Sequence, residues 1–458
     1  MTTDLYGLPV SHADAPALHA IDAFIHGFLS YHPKATGIIG AADAAPDCPL
    51  ANAYAAMLWM FLEAPVAPRK AAPYIERAMA GRATVSDREA AVIDAVAAWV
   101  AGDVPQVIEI CDRITDDWPR DMAILKLAQY HLFNIGDAAG MLRMALKAIP
   151  HAQDIAYTHG MIAFGYEQCH LLDKAETAAR RAMALQPDEA WAHHAIAHVM
   201  LTEGRITEGA AFLESVADSW APLNSFMRSH NWWHLALFYL SLGRHDDVRL
   251  AYDTHVWGLA KDYSQDQVGA ASLLARMDFA GVDVGDRWKD VAEQVARRGD
   301  DLVNPFLTLQ YLYALGRTGR KEADGLLQAI ATRAGDQTAF DHAAWADVAL
   351  PAARGLRAHA LGDWNACIAH LGPVLPRMAE CGGSHAQRDL FEQIHLDALI
   401  HAGRCSAAQQ VLEMRRTFDP DGVPLNLMLA DVYSRVGLPE LANEAQARAA
   451  QTVRGTAG

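Results

Sequence analysis

The chain has little that would staple it, anchor it or fold it into sheets. Of its 458 residues only six are cysteine, at 48, 111, 169, 367, 381 and 405, and no two form a CxxC pair. A chain this long buries a core without cross-links, so free thiols and a cytoplasmic address are expected. No apolar run approaches the roughly 20 residues of a membrane span. The opening stretch MTTDLYGLPVSHADAP has neither the basic nor the apolar part of a secretory signal, so no membrane partner is expected. Basic charge is scarce: 38 Lys and Arg stand against 55 Asp and Glu, a formal charge of −17. A field of that sign repels phosphate backbones, and on this ground no nucleic-acid partner is expected. Strand signals are nearly absent. No GxGxxG follows a strand, and Walker, HExxH, GxSxG and zinc-finger spacings are missing.

What the chain has is helix. Segments such as AAVIDAVAAWV, DMAILKLAQYHLF and WAHHAIAHVML place apolar residues at i, i+3, i+4 and i+7. Short breakers separate them at a fixed interval: Gly102, Gly136, His170 and Gly204 are each 34 residues apart. That period is the tetratricopeptide helix–turn–helix signature. Pro119, Pro187 and Pro420 each lie 17 residues after a breaker, where a second helix should stop. A small residue seven before the breaker lets paired helices approach at Ala95, Ala163, Ala197, Ala236, Gly355 and Ala430, but not at Gln129, Leu274, Leu312 or Leu396. Beyond Gly204 the spacing stretches to 38 and 39 residues at Gly243, Gly281 and Gly319, with later breakers at Gly362, Gly403 and Gly437. The expected fold is all-α, a right-handed solenoid of about twelve helix pairs that bury their faces against neighbours. One domain is expected over 1–458: irregular pairs over 1–82, regular repeats over 83–220 and longer repeats over 221–458.

In such a solenoid the first helix of each pair lines the inner surface. At ~100° per residue, positions 13, 10, 9 and 6 before a breaker form one stripe away from the partner helix. His194 and His198 fall there before Gly204, and His230 and His234 before Gly243. Each pair is spaced i, i+4, so its imidazoles leave one helix face. Helices packed ~8–10 Å apart would let all four rings approach. Trp233 shares the stripe, Trp232 falls on the packing side, and Glu167 and Gln168 add polar groups from the preceding first helix. Further along lie Lys126, Tyr130, Ser272, Gln310, Tyr313, Gln393 and Asp397.

Three readings of the histidines stay open. One is a transition-metal site, with Glu167 or Asp253 completing the shell. Another is metal-free acid–base or hydrogen-bonding chemistry on a small ligand against Trp233. The third is a set of partly buried histidines that hydrogen-bond across a crowded groove. His255, on a second helix, reads first as an interior histidine paired with a backbone carbonyl. Gly382-Gly383-Ser384 precedes a helix and suits either an anion at that helix start, assisted by Arg388, or a turn with a Ser N-cap.

The blocks DEAWAHHAIAHV (188–199), SHNWWHLALFYL (229–240), YDTH (252–255), GVDVGDRW (281–288) and GGSHAQRDLF (382–391) resemble the tetratricopeptide repeat protein 38 family. The likeness spans Gly7 to about residue 415. It implies an α-solenoid and a soluble intracellular protein, and it supplies no reaction. It singles out His194, His198, His230, Asn231, Trp233, His234, Asp253, His255, Gln387, Arg388 and Asp389. Ala51-Asn52-Ala53 and Leu309 stand where the family pattern admits histidines. The expected partner is a small molecule or a short peptide end, with Gln387 and Arg388 holding its anionic group. An extended peptide in a scaffold groove is the alternative, and a homo-oligomer is compatible with these residues.

Overall fold

A computed structural model describes residues 2–456. The described residues form 24 α-helices and one two-stranded antiparallel ribbon, Thr2–Thr3 with Pro9–Val10. None of the described helices is long and apolar enough to cross a membrane. Contacts divide the chain into two compact units: Met1–Ala195 with Ser219–Met227, and Ile196–Asp218 with Arg228–Gly458.

The same device ends one helix after another. Every breaker adopts left-handed backbone, from φ 83° at Gly102 to φ 57° at His170, and the residue after it bonds back to the last turn. Asp103 N–H reaches the Ala98 carbonyl at 2.9 Å, and Arg205 N–H reaches that of Met200 at 2.9 Å. These bonds satisfy carbonyls that the helix end would leave open. The small residues before the breakers are sealed: Ala95, Ala163, Ala197 and Ala236 are 0% exposed. Gln129 replaces the small residue with a polar clamp, its Nε2 donating to the carbonyls of Met141 and Met161 at 3.1 Å each.

In the first unit the core runs from Val10 to Phe164. Its N-terminal ribbon is held by a buried cation. Arg88, 1% exposed, donates to Asp121 at 2.9 Å, to Asp4 at 3.5 Å and to the Pro9 carbonyl at 2.9 Å. Burial pushes the Asp4 carboxyl up to about 6 while Arg88 pulls it down.

In the second unit four helices, Ser264–Phe279, Pro305–Arg317, Leu350–Ala360 and His385–His401, pack in succession, and the first also packs against the last. The unit returns on itself. Ser241 Oγ donates to Asp419 at 2.8 Å, and a Cβ at Gly204 would collide with the Phe418 carbonyl oxygen. An array whose pairs touch only their neighbours was expected. Here the turns at 204 and 243 pack against residues 418–423 instead, because closure takes from water apolar and backbone surface that a linear coil leaves wet.

Two consequences can be measured. Arg88→Met should cost about 3–5 kcal/mol by urea unfolding, because two carboxylates would stay buried without their cation. A loss under 1 kcal/mol would show that the ribbon is not held this way. Gly102→Ala, with open space around the site, should cost only about 1 kcal/mol of left-handed backbone strain. Gly204→Ala should cost clearly more in the same assay.

Candidate functional site

The second unit gathers three imidazoles. His198 lies on the helix Ala190–Thr202; His230 and His234 lie on Ser225–Ser241. The ring of His234 stands 4.5 Å from that of His198 and 4.8 Å from that of His230. His230 stacks on Trp233 at 5.5 Å with 4° between planes, and Trp233 meets His234 edge-on at 4.8 Å. All four are buried, with exposures of 1%, 9% and 0% for His198, His230 and His234 and 1% for Trp233. Burial, reinforced by His198, pushes His230 down to about 3. At neutral pH it is therefore an uncharged imidazole, able to accept or donate a hydrogen bond or to bind a metal. It is a weak base there, which removes it from proton abstraction.

Beyond Trp233 lies a residue that the stripe arithmetic passed over. The Arg276 guanidinium sits 5.2 Å from the Trp233 ring and is 3% exposed. One terminal nitrogen donates to the Ser272 carbonyl (3.2 Å) and hydroxyl (2.5 Å), the other to the carbonyls of Ala386 (2.7 Å) and Gln387 (3.4 Å). Asp389 stands 3.9 Å from Arg276 and 2.6 Å from Arg415, and accepts from Gln393. Burial pushes the Asp389 carboxyl up, but Arg415 and Arg276 more than reverse this and hold it below the usual carboxylate range. Asp389 and Arg415 keep 29% and 28% of their side-chain surface accessible.

The other residues picked out by sequence lie elsewhere. Asn231 is wholly buried. Asp253 pairs with Arg287 at 2.6 Å, on the π-helical turn Tyr252–Val256. His255, on the same turn, stacks on Trp232 at 3.8 Å. The expected pairing of His255 with a backbone carbonyl is not found: its buried Nδ1 has no hydrogen-bond partner, and the indole supplies its contact. Ser384 caps the helix His385–His401 in a reciprocal box with Gln387, and Arg388 donates to the Gly383 carbonyl and contacts His385 Nδ1 at 3.2 Å. The capped turn is thus the arrangement found, with Gln387 and Arg388 engaged in closing it. In the first unit His194 stacks on Trp191 at 4.3 Å, and buried Glu167 accepts from Gln168 at 2.5 Å. Glu189, buried there, is pushed up by burial to about 7. His193 shows the purely structural pattern, its Nε2 2.8 Å from the Pro187 carbonyl and its Nδ1 accepting from Trp220 at 3.2 Å.

Helix pairs, left-handed turns and close-packed first helices define an all-α solenoid of the tetratricopeptide kind. No family model matches the chain. Its fold is similar to that of the human IFIT1 dimer with PPP-AAAA, at 12% identity over 97% of this chain and 96% of that one, with a TM-score of 0.42. The human IFIT1 dimer with m7Gppp-AAAA gives 11% identity over 99% and 97%, TM-score 0.41. The P58(IPK) TPR domain gives 11% identity over 73% of this chain and 96% of that one, TM-score 0.22. The expectation of no nucleic-acid partner is corrected by these comparisons, since IFIT1 is solved with oligonucleotides. The charge argument fails physically because −17 is a sum over the whole chain. The sign of the local field is set by the groups at each place, not by that sum.

The neutral state of His230 has a measurable consequence. An unfolded chain protonates this histidine near 6.5, the folded one only near 3. Its contribution to stability is therefore intact above pH 6.5 and lost as pH falls towards 3, by up to ~1.4 kcal/mol per pH unit. Urea unfolding at pH 7 and pH 5 should show about 2 kcal/mol of this loss in the parent chain and none of it in His230→Gln. Equal slopes in the two proteins would refute it.

Proposed function

We propose that the second unit binds a small polar molecule in the recess bordered by His198, His230, His234, Trp233 and Arg276. The observation that carries this reading is the stacking of neutral His230 on Trp233 beside a buried guanidinium. Three buried imidazoles, a tryptophan and an arginine are a costly group to keep together for packing alone. They offer a flat wall and several directional donors, as small-molecule sites do. The motif blocks at 188–199, 229–240 and 382–391 support placing the chain with the tetratricopeptide repeat protein 38 family, and its six unpaired cysteines favour a cytoplasmic setting.

The test is thermal melting of the full chain against a panel of polar metabolites, with PPP-AAAA included. At a ligand concentration 100 times its Kd, stabilisation of about 2.7 kcal/mol is expected. It should vanish in His230→Gln and His234→Gln while both variants remain folded by circular dichroism. No shift from any compound would overturn the reading.

A metal-held ligand is the second form of the same proposal, because uncharged imidazole is the ligating state. Elemental analysis of tag-free protein decides it. About one transition metal per chain, lost in the His198→Ala/His230→Ala double variant, supports the metal. Metal-free protein after metal-replete growth leaves hydrogen bonding as the mode of binding.

A further inference from the structure

Charge and hydrogen bonding are balanced differently around Arg276. Its two terminal nitrogens are saturated by Ser272, Ala386 and Gln387, all uncharged acceptors. The positive charge itself is poorly offset. The nearest carboxylate, Asp389, is 3.9 Å away and already committed to Arg415 at 2.6 Å and to Gln393. Arg415 has further carboxylates, Glu392 at 3.4 Å and Asp419, whereas Arg276 has only its distant share of Asp389. Burial draws Arg276 down to about 10, which still leaves it cationic at neutral pH. What is exceptional is Arg276 itself, a buried guanidinium whose nearest carboxylate is 3.9 Å away and bound to another arginine.

A second observation points the same way. The indole Nε1–H of Trp233, directly beneath that guanidinium, is buried and has no acceptor. Buried donors are nearly always paired, and an orphan one is costly. A cation and an orphan N–H donor side by side share one need, an acceptor that carries negative charge.

We propose that this recess takes an oxyanion, the carboxylate or phosphate group of a small molecule, against the Arg276 guanidinium and the Trp233 indole N–H. The proposal rests on the ligand-binding reading above and assigns its anchor to Arg276 in place of Arg388, which closes its own turn. The anion enters past Asp389 and Arg415, the accessible wall of the recess.

The experiment is thermal melting and isothermal titration of the full chain with sodium phosphate and, separately, sodium acetate, against sodium chloride at matched ionic strength. Saturable stabilisation by one of the two oxyanions is expected, and which one acts separates phosphate from carboxylate ligands. Trp233→Phe carries the decision. It keeps an aromatic ring beside Arg276 and deletes the orphan donor together with part of the buried indole. It should weaken the anion about five-fold or more, the size of one charge-assisted hydrogen bond. The lost packing should lower the melting temperature of the anion-free chain, so the affinity is read by titration at a temperature where both proteins are folded. Arg276→Gln should abolish the effect; if it fails to fold, the Trp233→Phe comparison still stands. Equal responses to phosphate, acetate and chloride, or equal affinity in Trp233→Phe, would overturn the proposal. If uncharged metabolites stabilise the chain and neither oxyanion does, the oxyanion assignment falls and the ligand-binding reading survives. If nothing stabilises it, both fall.

Discussion

A first helix in a closed coil has no solvent side. Pro305–Arg317 buries 12 of its 13 residues, Ser264–Phe279 buries 12 of 16, and in the first unit Ala156–Gln168 buries 11 of 13. Each such helix faces its own partner, the preceding first helix and the following one. Most of the polar side chains on it, such as Glu167, Asp266, Arg276 and Gln310, are therefore taken out of water. Each must be paired, neutralised or supplied with a ligand, because the desolvation of an unmet polar group is larger than the net gain from most single contacts. The behaviour of the inner residues in both units follows from this constraint.

The constraint sorts residues by how they meet it. Gln129 meets it fully, donating to the carbonyls of two neighbouring helices. His359 meets it through a chain, its Nδ1 3.3 Å from the Tyr313 hydroxyl and its Nε2 2.9 Å from Asp397. Arg88 meets it by drawing in two carboxylates. The imidazole of His230 meets it by giving up its charge. Trp233 and Arg276 meet it incompletely, the first in hydrogen bonding and the second in charge. Where a fold leaves buried polar demand unmet at adjacent residues, with an accessible wall beside them, structural need has stopped accounting for the residue types.

Much of this was legible in the chain. The left-handed turns are written as glycine at a fixed interval, and even His170, which breaks the glycine rule, keeps the interval and the left-handed backbone. The i, i+4 spacing of His230 and His234 already requires both rings on one helix face, and the structure puts them 4.8 Å apart. Arg276 was illegible for a different reason. It sits between apolar residues in LLARMDF, off the inner stripe, and its long side chain reaches its partners from there. Those partners, the carbonyls of Ala386 and Gln387, lie 110 and 111 residues further on. Local periodicity cannot show a contact made by closure of the coil. Arg388 misled for the complementary reason: it lies in a Gly-rich run before a helix, a setting that suits an anion site, yet the backbone and His385 consume its donors.

The contrast between the uncharged His230 imidazole and the retained Arg276 guanidinium also limits the chemistry. A histidine held near 3 spends no measurable time protonated at neutral pH, so it cannot serve as an acid and serves poorly as a base. Arginine, which keeps its proton even when burial draws it down to about 10, cannot exchange protons there either. These two residues can orient, desolvate and hold a ligand, and neither moves a proton. The rim is different. Glu392 is raised by burial and by Asp389, and it sits 3.4 Å from Arg415 at the accessible wall. Recognition and proton exchange are thereby separated in space, with the fixed charge inside and the adjustable carboxyl outside.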